Sequence, residues 1–93
     1  MTFSERLVQL RKEKNITQRQ LASALNLSEV GIQNYEGGRR KPAYDILLAL
    51  ADYFNVSIDY LTGRTDCPDI ITKDKDGNYI AVEAMSPAKN KKQ

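Results

Sequence analysis

The sequence predicts a compact all-α domain of five helices, followed by a C-terminal extension. Apolar residues recur at three- and four-residue spacing up to about residue 61. Residues that favour helix starts and helix ends separate these runs. The β-prone segments Ile70–Thr72 and Tyr79–Val82 come only afterwards. We therefore divide the 93-residue chain into a helical domain, residues 1–66, and an extension, residues 67–93.

The first helix is predicted from the spacing of Phe3, Leu7 and Leu10. These side chains fall on one face of a helix, because they recur at i, i+4 and i+7. Ser4 is the candidate N-cap. We expect the helix to run from about Ser4 to Lys14.

Two short helices joined by a tight turn are predicted from Thr17 onward. Thr17 and Gln20 form a capping-box pattern, in which each side chain accepts a hydrogen bond from a backbone N–H at a helix start. Asn26 tolerates the left-handed conformation that ends a helix. Ser28 is a candidate N-cap two residues later. We therefore expect a second short helix over residues 28–36.

The outward positions of that second helix form a candidate binding surface. Helices joined by such a tight turn cross steeply, and Ala22 is the small residue where they approach. The outward side chains offer a carboxylate, a methyl surface and two amides, which together can read base edges in a DNA major groove: Glu29, Val30, Gln33 and Asn34. The alternative is that any pair of amphipathic helices in a small α-domain has this pattern.

A cationic loop follows the second short helix. Two glycines break the helix, and Arg39, Arg40 and Lys41 come directly after them. The glycine backbone N–H groups and the three charges can bind the phosphates of a DNA backbone. The alternative is a solvated run of charge. We favour phosphate binding because the candidate base-reading helix immediately precedes the loop.

The last two helices are predicted from a broad apolar face and its flanking breakers. Pro42 favours a helix start, and the apolar residues that follow indicate a helix over residues 43–54. Asn55 is expected to end it, Ser57 to cap a short final helix, and Gly63 to stop that helix. The residues of these two helices expected in the core are Ile46, Leu47, Leu50, Ala51, Phe54, Ile58 and Leu61, with Val56 between them.

Residues 3–66 resemble the phage-repressor and Cro-like helix-turn-helix DNA-binding domains of the xenobiotic-response-element (XRE) type. Ala22, the turn residue four positions later and Ile32 match the spacing of that family, although Asn26 replaces the usual turn glycine. The resemblance implies a lambda-repressor-like fold and a recognition helix over residues 28–36. It also implies an ion pair between Arg11 and Glu36.

The resemblance further implies a phosphate contact from Gln18, which opens the first helix of the motif. We add Ser28 and Gly31 as candidate phosphate contacts. At Gly31 the missing side chain lets the helix start approach the DNA backbone closely. Glu29 is unusual where the family often has a longer amide or a cation. We expect it either to accept a hydrogen bond from a cytosine amino group or only to complement the helix dipole.

Composition does not support several other functions. With no histidine and a single cysteine, the chain cannot assemble a usual zinc site and lacks the commonest general base, so we expect no catalytic residues, metal or cofactor. The Asp74 to Asn78 run lacks the spacing of a calcium loop. No apolar run is long enough for a membrane helix, and the N-terminus does not resemble a signal peptide. We expect a cytoplasmic protein.

The extension is predicted to form a short β-hairpin over residues 69–82, followed by a mobile basic tail, residues 86–93. Because an isolated hairpin is only marginally stable, three outcomes are open. The hairpin packs on the helices, it adds strands to a partner, or the segment stays disordered.

The expected function is a transcriptional regulator that represses by occupying an inverted-repeat operator in double-stranded DNA as a homodimer. Exposed apolar residues of the last helix or of the Ile70–Val82 segment are the candidate dimer surfaces. The alternative is an antitoxin-like interaction protein, in which residues 67–93 bind a protein partner while the domain regulates its own operon.

Overall fold

The computed structural model describes residues 1–73, 76 and 79–82. It confirms the all-α domain of five helices, and a pair of short strands follows. The elements in chain order are α1 (Phe3–Glu13), α2 (Gln18–Ala24), α3 (Glu29–Glu36), α4 (Tyr44–Phe54), α5 (Ile58–Leu61), β1 (Ile70–Lys73) and β2 (Tyr79–Val82). Within these described residues, no helix is both long and apolar enough to cross a membrane.

Helix α1 begins one residue earlier than the sequence predicted, because Thr2 rather than Ser4 is its N-cap. The Thr2 hydroxyl accepts a hydrogen bond from the Glu5 backbone N–H, and the Glu5 carboxylate accepts one from the Thr2 backbone N–H at 2.9 Å. The hydrogen bond from the Thr2 backbone lowers the pKa of the Glu5 carboxyl. Ser4 instead donates from its hydroxyl to the Tyr35 carbonyl at 2.7 Å, so it ties α1 to α3.

The predicted caps of α2 and α3 are confirmed. The Thr17 hydroxyl accepts from the Gln20 backbone N–H at 3.0 Å, and the Gln20 side chain accepts in return from the Thr17 N–H. Asn26 has a φ of 58°, in the left-handed region, directly after the C-cap of α2. The Ser28 hydroxyl accepts from the Gly31 N–H at 2.9 Å. Local side chains therefore determine where both helices begin and where α2 ends.

Helix α4 ends and helix α5 begins where the sequence predicted. The start of α4 differs from the prediction. The N-cap is Ala43, so α4 begins at Tyr44, one residue later than predicted. Asn55 ends α4 in the left-handed conformation, with a φ of 56°. The Ser57 hydroxyl caps α5 by accepting from the Tyr60 N–H at 3.0 Å. The predicted breaker Gly63 has a φ of 83°.

The core lies where the five helices meet. The residues of α4 and α5 predicted for the core are buried, as is Val56 between them, with three exceptions. Ile46, Leu47 and Ile58 are half-buried and pack around the core. The fully buried side chains are Leu7, Leu21, Ile32, Leu50 and Leu61. The two motif helices are thus fixed to α1, α4 and α5 by a shared apolar interior.

Arg6 is a buried charged residue that the sequence analysis did not single out. Only 2% of it is exposed, and its guanidinium lies 3.6 Å from the centroid of the Tyr60 ring. Its Nη2 donates to the Asp66 carboxylate at 3.2 Å. Arg6 therefore joins α1 to α5 and to the segment that follows it.

Strands β1 and β2 pair antiparallel, with Ile70 opposite Val82 and Lys73 opposite Tyr79. This pairing agrees with the predicted hairpin, whose turn lies mostly outside the described residues. The chain before β1 contacts the helical domain, because the Ser57 N–H donates to the Pro68 carbonyl at 3.0 Å. The predicted division at residue 66 stays a prediction. The predicted tail, residues 86–93, lies outside the described part of the chain.

Candidate nucleic-acid interface

Helix α3 separates a buried face from an exposed one, as predicted. Ile32 and Tyr35 are buried against the core. On the opposite face, 62% of Val30 is exposed. Gln33 is also exposed, and the remaining two predicted base readers are half-buried: Glu29 and Asn34. The four side chains predicted to read bases therefore lie on the accessible part of a single helix.

Helix α2 and the turn hold α3 at a defined angle. Ala22 is buried, and its carbonyl accepts a hydrogen bond from the Leu27 N–H at 2.8 Å. A larger side chain at residue 22 would push the two helices apart, since α2 and α3 pack closely along this contact. The small residue and the left-handed Asn26 together set the crossing of the motif.

Arg11 and Glu36 form the ion pair that the family resemblance implied. Arg11 Nε lies 2.6 Å from Glu36 Oε2, and Arg11 Nη2 donates to Glu36 Oε1 at 3.2 Å. The side chains are 14% and 6% exposed. Arg11 Nη1 also donates to the Ile16 carbonyl at 2.8 Å. The pair thus fixes the end of the recognition helix to α1 and to the loop before α2.

Gln18, a predicted phosphate contact, is bound within the protein. Its side-chain amide donates to Glu36 Oε1 at 2.9 Å. Because the amide nitrogen carries two hydrogens, one donor remains for another acceptor. Gln18 is therefore oriented by the ion pair, a link that the spacing of the sequence did not reveal.

Gly31 and Ser28, two further predicted phosphate contacts, interact with each other. The Gly31 N–H is occupied by the Ser28 hydroxyl oxygen. A Cβ at residue 31 would lie 3.1 Å from that oxygen, so the glycine keeps the cap uncrowded. The Ser28 hydroxyl hydrogen remains available as a donor.

Arg19 is a residue of the interface that the sequence analysis missed. Its Nε lies 3.5 Å from Glu29 Oε1, and the two side chains are 84% and 39% exposed. The two residues are ten positions apart on different helices, so helical periodicity contained no signal for the contact. Glu29 thus has a cation beside it on the exposed side of the motif.

The loop after α3 ends the helix differently from the sequence prediction. We expected the glycine N–H groups to be free for phosphates, but they close the helix. The Gly37 N–H donates to the Gln33 carbonyl at 2.9 Å, and the Gly38 N–H to the Tyr35 carbonyl at 3.3 Å. Gly38 has a φ of 74°, which is the left-handed conformation of this common helix ending.

The three cations of the loop do not behave alike. Arg40 and Lys41 are exposed, and no other described residue forms an ion pair with either side chain. Arg39 is also exposed but folds back along α3. Its Nε donates to Asn34 Oδ1 and its Nη2 to the Gln33 carbonyl, both at 3.1 Å. The structure thus brings a predicted phosphate contact onto a predicted base reader.

Together these residues form a surface that offers hydrogen-bond donors, acceptors and positive charge. In the described ranges, no three histidine, cysteine, aspartate or glutamate side chains are grouped as metal ligands would be. A helix with an exposed polar face and cations at its end has the chemistry to bind in the major groove of a duplex.

The sequence profile of one family, described as Helix-turn-helix, matches residues 7–61. The chain is 38% identical over 66 residues to the HTH-type transcriptional regulator ImmR of Bacillus subtilis, with 71% of this chain and 52% of the relative covered. It is 39% identical over 64 residues to the cryptic phage CTXphi transcriptional repressor RstR of Vibrio cholerae, with 69% and 57% covered. The chain thus spans about half to three fifths of the length of these relatives.

The fold is also similar to a solved repressor structure. The P22 c2 repressor protein, crystallised in complex with a synthetic operator, superposes with a TM-score of 0.64 at 32% identity, covering 67% of this chain and 94% of the repressor chain. The family profile spans more than half of the residues. The chain therefore belongs to the XRE-type helix-turn-helix family, a family of DNA-binding transcriptional regulators and not of enzymes.

Proposed function

We propose that this protein binds double-stranded DNA in a sequence-specific manner and represses transcription by occupying an operator. The observation that carries the proposal is the exposed face of α3, which presents Val30 and Gln33 to a partner while Ile32 and Tyr35 anchor the helix in the core. Two exposed cations, Arg40 and Lys41, follow at its end. DNA recognition requires both parts, since base contacts specify a sequence and phosphate contacts position the protein.

The relatives support the same proposal. Those described above are named as regulators or repressors, and one solved neighbour was crystallised with an operator. This favours a repressor over the antitoxin-like alternative. A role on DNA would also place the protein in the compartment that holds the DNA, which in bacteria is the cytoplasm.

We further propose that two copies bind one inverted-repeat operator. A single module of this size buries only about 600–1,000 Å² and reads few base pairs, which gives poor discrimination against other genomic sites. Two modules would place their α3 helices about 34 Å apart, one turn of the duplex. The candidate surfaces that would join the copies are still the last helix, where Ile58 and Tyr60 are half-buried, and residues 70–82.

Selection of bound fragments from random duplex DNA tests both proposals. We expect the enriched sequences to contain an inverted repeat with half-sites about ten base pairs apart, bound by two chains. A repeat-free site bound by one chain would contradict the dimer. Failure to enrich any sequence would contradict sequence-specific binding.

The double variant Val30→Ala, Gln33→Ala tests whether the exposed face of α3 is responsible for the selection. Both side chains are exposed on α3, so the substitutions leave the core intact. Alanine also favours a helix. We expect this variant to retain non-specific DNA binding but to lose enrichment of the selected site.

Glu29→Gln separates the two interpretations of the acidic residue on α3. If the carboxylate accepts from a cytosine amino group, the variant should tighten non-specific binding and relax the preference at one base pair per half-site. Folding stability should change by only about 0–1 kcal/mol, because the pair with Arg19 is exposed. Affinities for the selected site and its single-base variants, measured beside thermal unfolding, check this expectation.

The control for that experiment is Asp59→Asn, which neutralises a first-turn acid that forms an exposed ion pair with Arg64 outside the candidate interface. It should alter stability to a similar extent without relaxing the base preference. Should Glu29→Gln leave every base preference unchanged and lower the unfolding temperature, Glu29 acts only on the helix dipole.

A further inference from the structure

Arg39 occupies space that exists because residue 37 is glycine. A Cβ built on Gly37 would collide with Arg39 Nη1 and would lie 2.8 Å from Cζ. Gly37 itself has a φ of −84° and a ψ of −3°, which any residue adopts. The glycine is therefore needed for the position of the Arg39 side chain and not for the course of the backbone.

In this position Arg39 controls the amide of Asn34. Arg39 Nε is only a donor, so the atom that it contacts at 3.1 Å is the amide oxygen Oδ1. The second bond, from Nη2 to the Gln33 carbonyl, prevents the guanidinium from rotating away. The Asn34 oxygen thus faces the Arg39 guanidinium. The amide NH₂ group is bonded to the same carbon and therefore points away from that guanidinium.

We propose that Arg39 is a positioning residue for base recognition, which orients the Asn34 amide so that it presents donors to the DNA. This inference rests on the proposed DNA-binding function. A free asparagine pairs with adenine through both amide atoms, accepting from N6 and donating to N7. With Oδ1 held by a guanidinium, the adenine amino group would approach a positive charge. Guanine offers only acceptors there, N7 and O6, so guanine is preferred at this position.

The role differs from the phosphate contact that the sequence predicted for Arg39. A residue that only contacts phosphates weakens binding to all sequences equally and reduces the salt dependence. A positioning residue changes which base is preferred. The two roles are distinguished by measuring affinity for every single-base variant of the selected site at several salt concentrations.

The sharpest variant is Gly37→Ala, because it removes no charge and no donor. Its methyl group occupies the space of the guanidinium and displaces Arg39 from Asn34. We expect the preference at one base pair per half-site to shift from guanine toward adenine by about 3- to 10-fold, the effect of one hydrogen bond. The salt dependence should stay unchanged. Arg39→Lys, which keeps the charge but lacks the planar fork, should cause the same shift.

Two control variants complete the experiment. Arg40→Gln should reduce the salt dependence without changing any base preference. In an Asn34→Ala background, Gly37→Ala should cause no further change, because the residue on which Arg39 acts is absent.

An unchanged preference at every base pair in both Gly37→Ala and Arg39→Lys would overturn the inference, provided that circular dichroism shows the variants folded. The proposed function would still stand after that result, because it depends on whether the wild-type protein selects a defined site. If the wild-type protein enriches no sequence, the proposed function itself fails.

Discussion

Replacing Arg11 by methionine is expected to lower the free energy of unfolding by about 3–5 kcal/mol, because it leaves a buried carboxylate without its cation. Only 6% of the Glu36 side chain is exposed, and among the described residues Gln18 is the one side-chain donor that would remain. The Ile16 carbonyl would lose its donor as well. For a domain of this size the unfolding temperature should fall by more than about 10 °C. Denaturant unfolding and thermal unfolding measure both quantities.

The matched control is Arg19→Met, which breaks an exposed ion pair on the same motif. We expect a loss of only about 0–1 kcal/mol there, since water screens the two charges. The double variant Arg11→Met, Glu36→Leu should recover much of the stability lost in Arg11→Met, because no charge is left buried. A loss below about 1 kcal/mol in Arg11→Met would mean that the buried pair contributes no more than a surface pair.

Helix boundaries were predictable because the residues that determine them act locally. The side chains of Thr17, Ser28 and Ser57 each accept a hydrogen bond from a backbone N–H three residues later, and Asn26 and Asn55 end helices in a conformation that few residues tolerate. All of this is encoded within four residues of the helix end. The same rule also explains the wrong N-cap predicted for α1. Ser4 was predicted, but Thr2 caps the helix because Thr2 and Glu5 exchange two hydrogen bonds in a capping box.

The orientation of the interface side chains could not be predicted, because it depends on contacts between elements. Gln18 reaches Glu36 across the motif, and Arg19 reaches Glu29 from one helix to the next. Neither contact follows from periodicity or from a cap. The sequence thus indicates which residues lie on the surface, whereas their hydrogen-bond partners follow only from the packed fold.

Family resemblance supplied one of the long-range contacts that local patterns did not contain. The pairing of Arg11 with Glu36 was inferred from related proteins, and the structure places the two side chains in direct contact. The contrast with Arg6 is informative, since no such prior pointed to its burial against Tyr60. Long-range polar contacts were therefore predictable only where related proteins indicated them, and the others were revealed only by the structure.

Neutralising Arg40 and Lys41, the two exposed cations that end the loop, should weaken binding to all DNA sequences about equally. Arg40 and Lys41 are exposed, whereas Arg39 is held against α3. Each phosphate contact contributes about 0.9 to the slope of log affinity against log salt, so the variant Arg40→Gln, Lys41→Gln should flatten the slope by up to about two units. Between about 50 and 200 mM salt, the salt-induced loss of affinity should shrink by roughly 12-fold.

The control for this prediction is Arg64→Gln. Arg64 follows α5, and its exposed side chain forms an ion pair with Asp59 of that helix. A cation outside the interface contacts no phosphate and therefore displaces no counterion from the DNA. The salt slope of this variant should differ from that of the wild type by less than about half a unit. Binding isotherms at four or more salt concentrations, on the selected site and on an unrelated duplex, measure the slopes. If the loop variant kept its slope but changed the preferred base at any position, Arg40 and Lys41 would contact bases, and phosphate binding would have to be assigned to other residues.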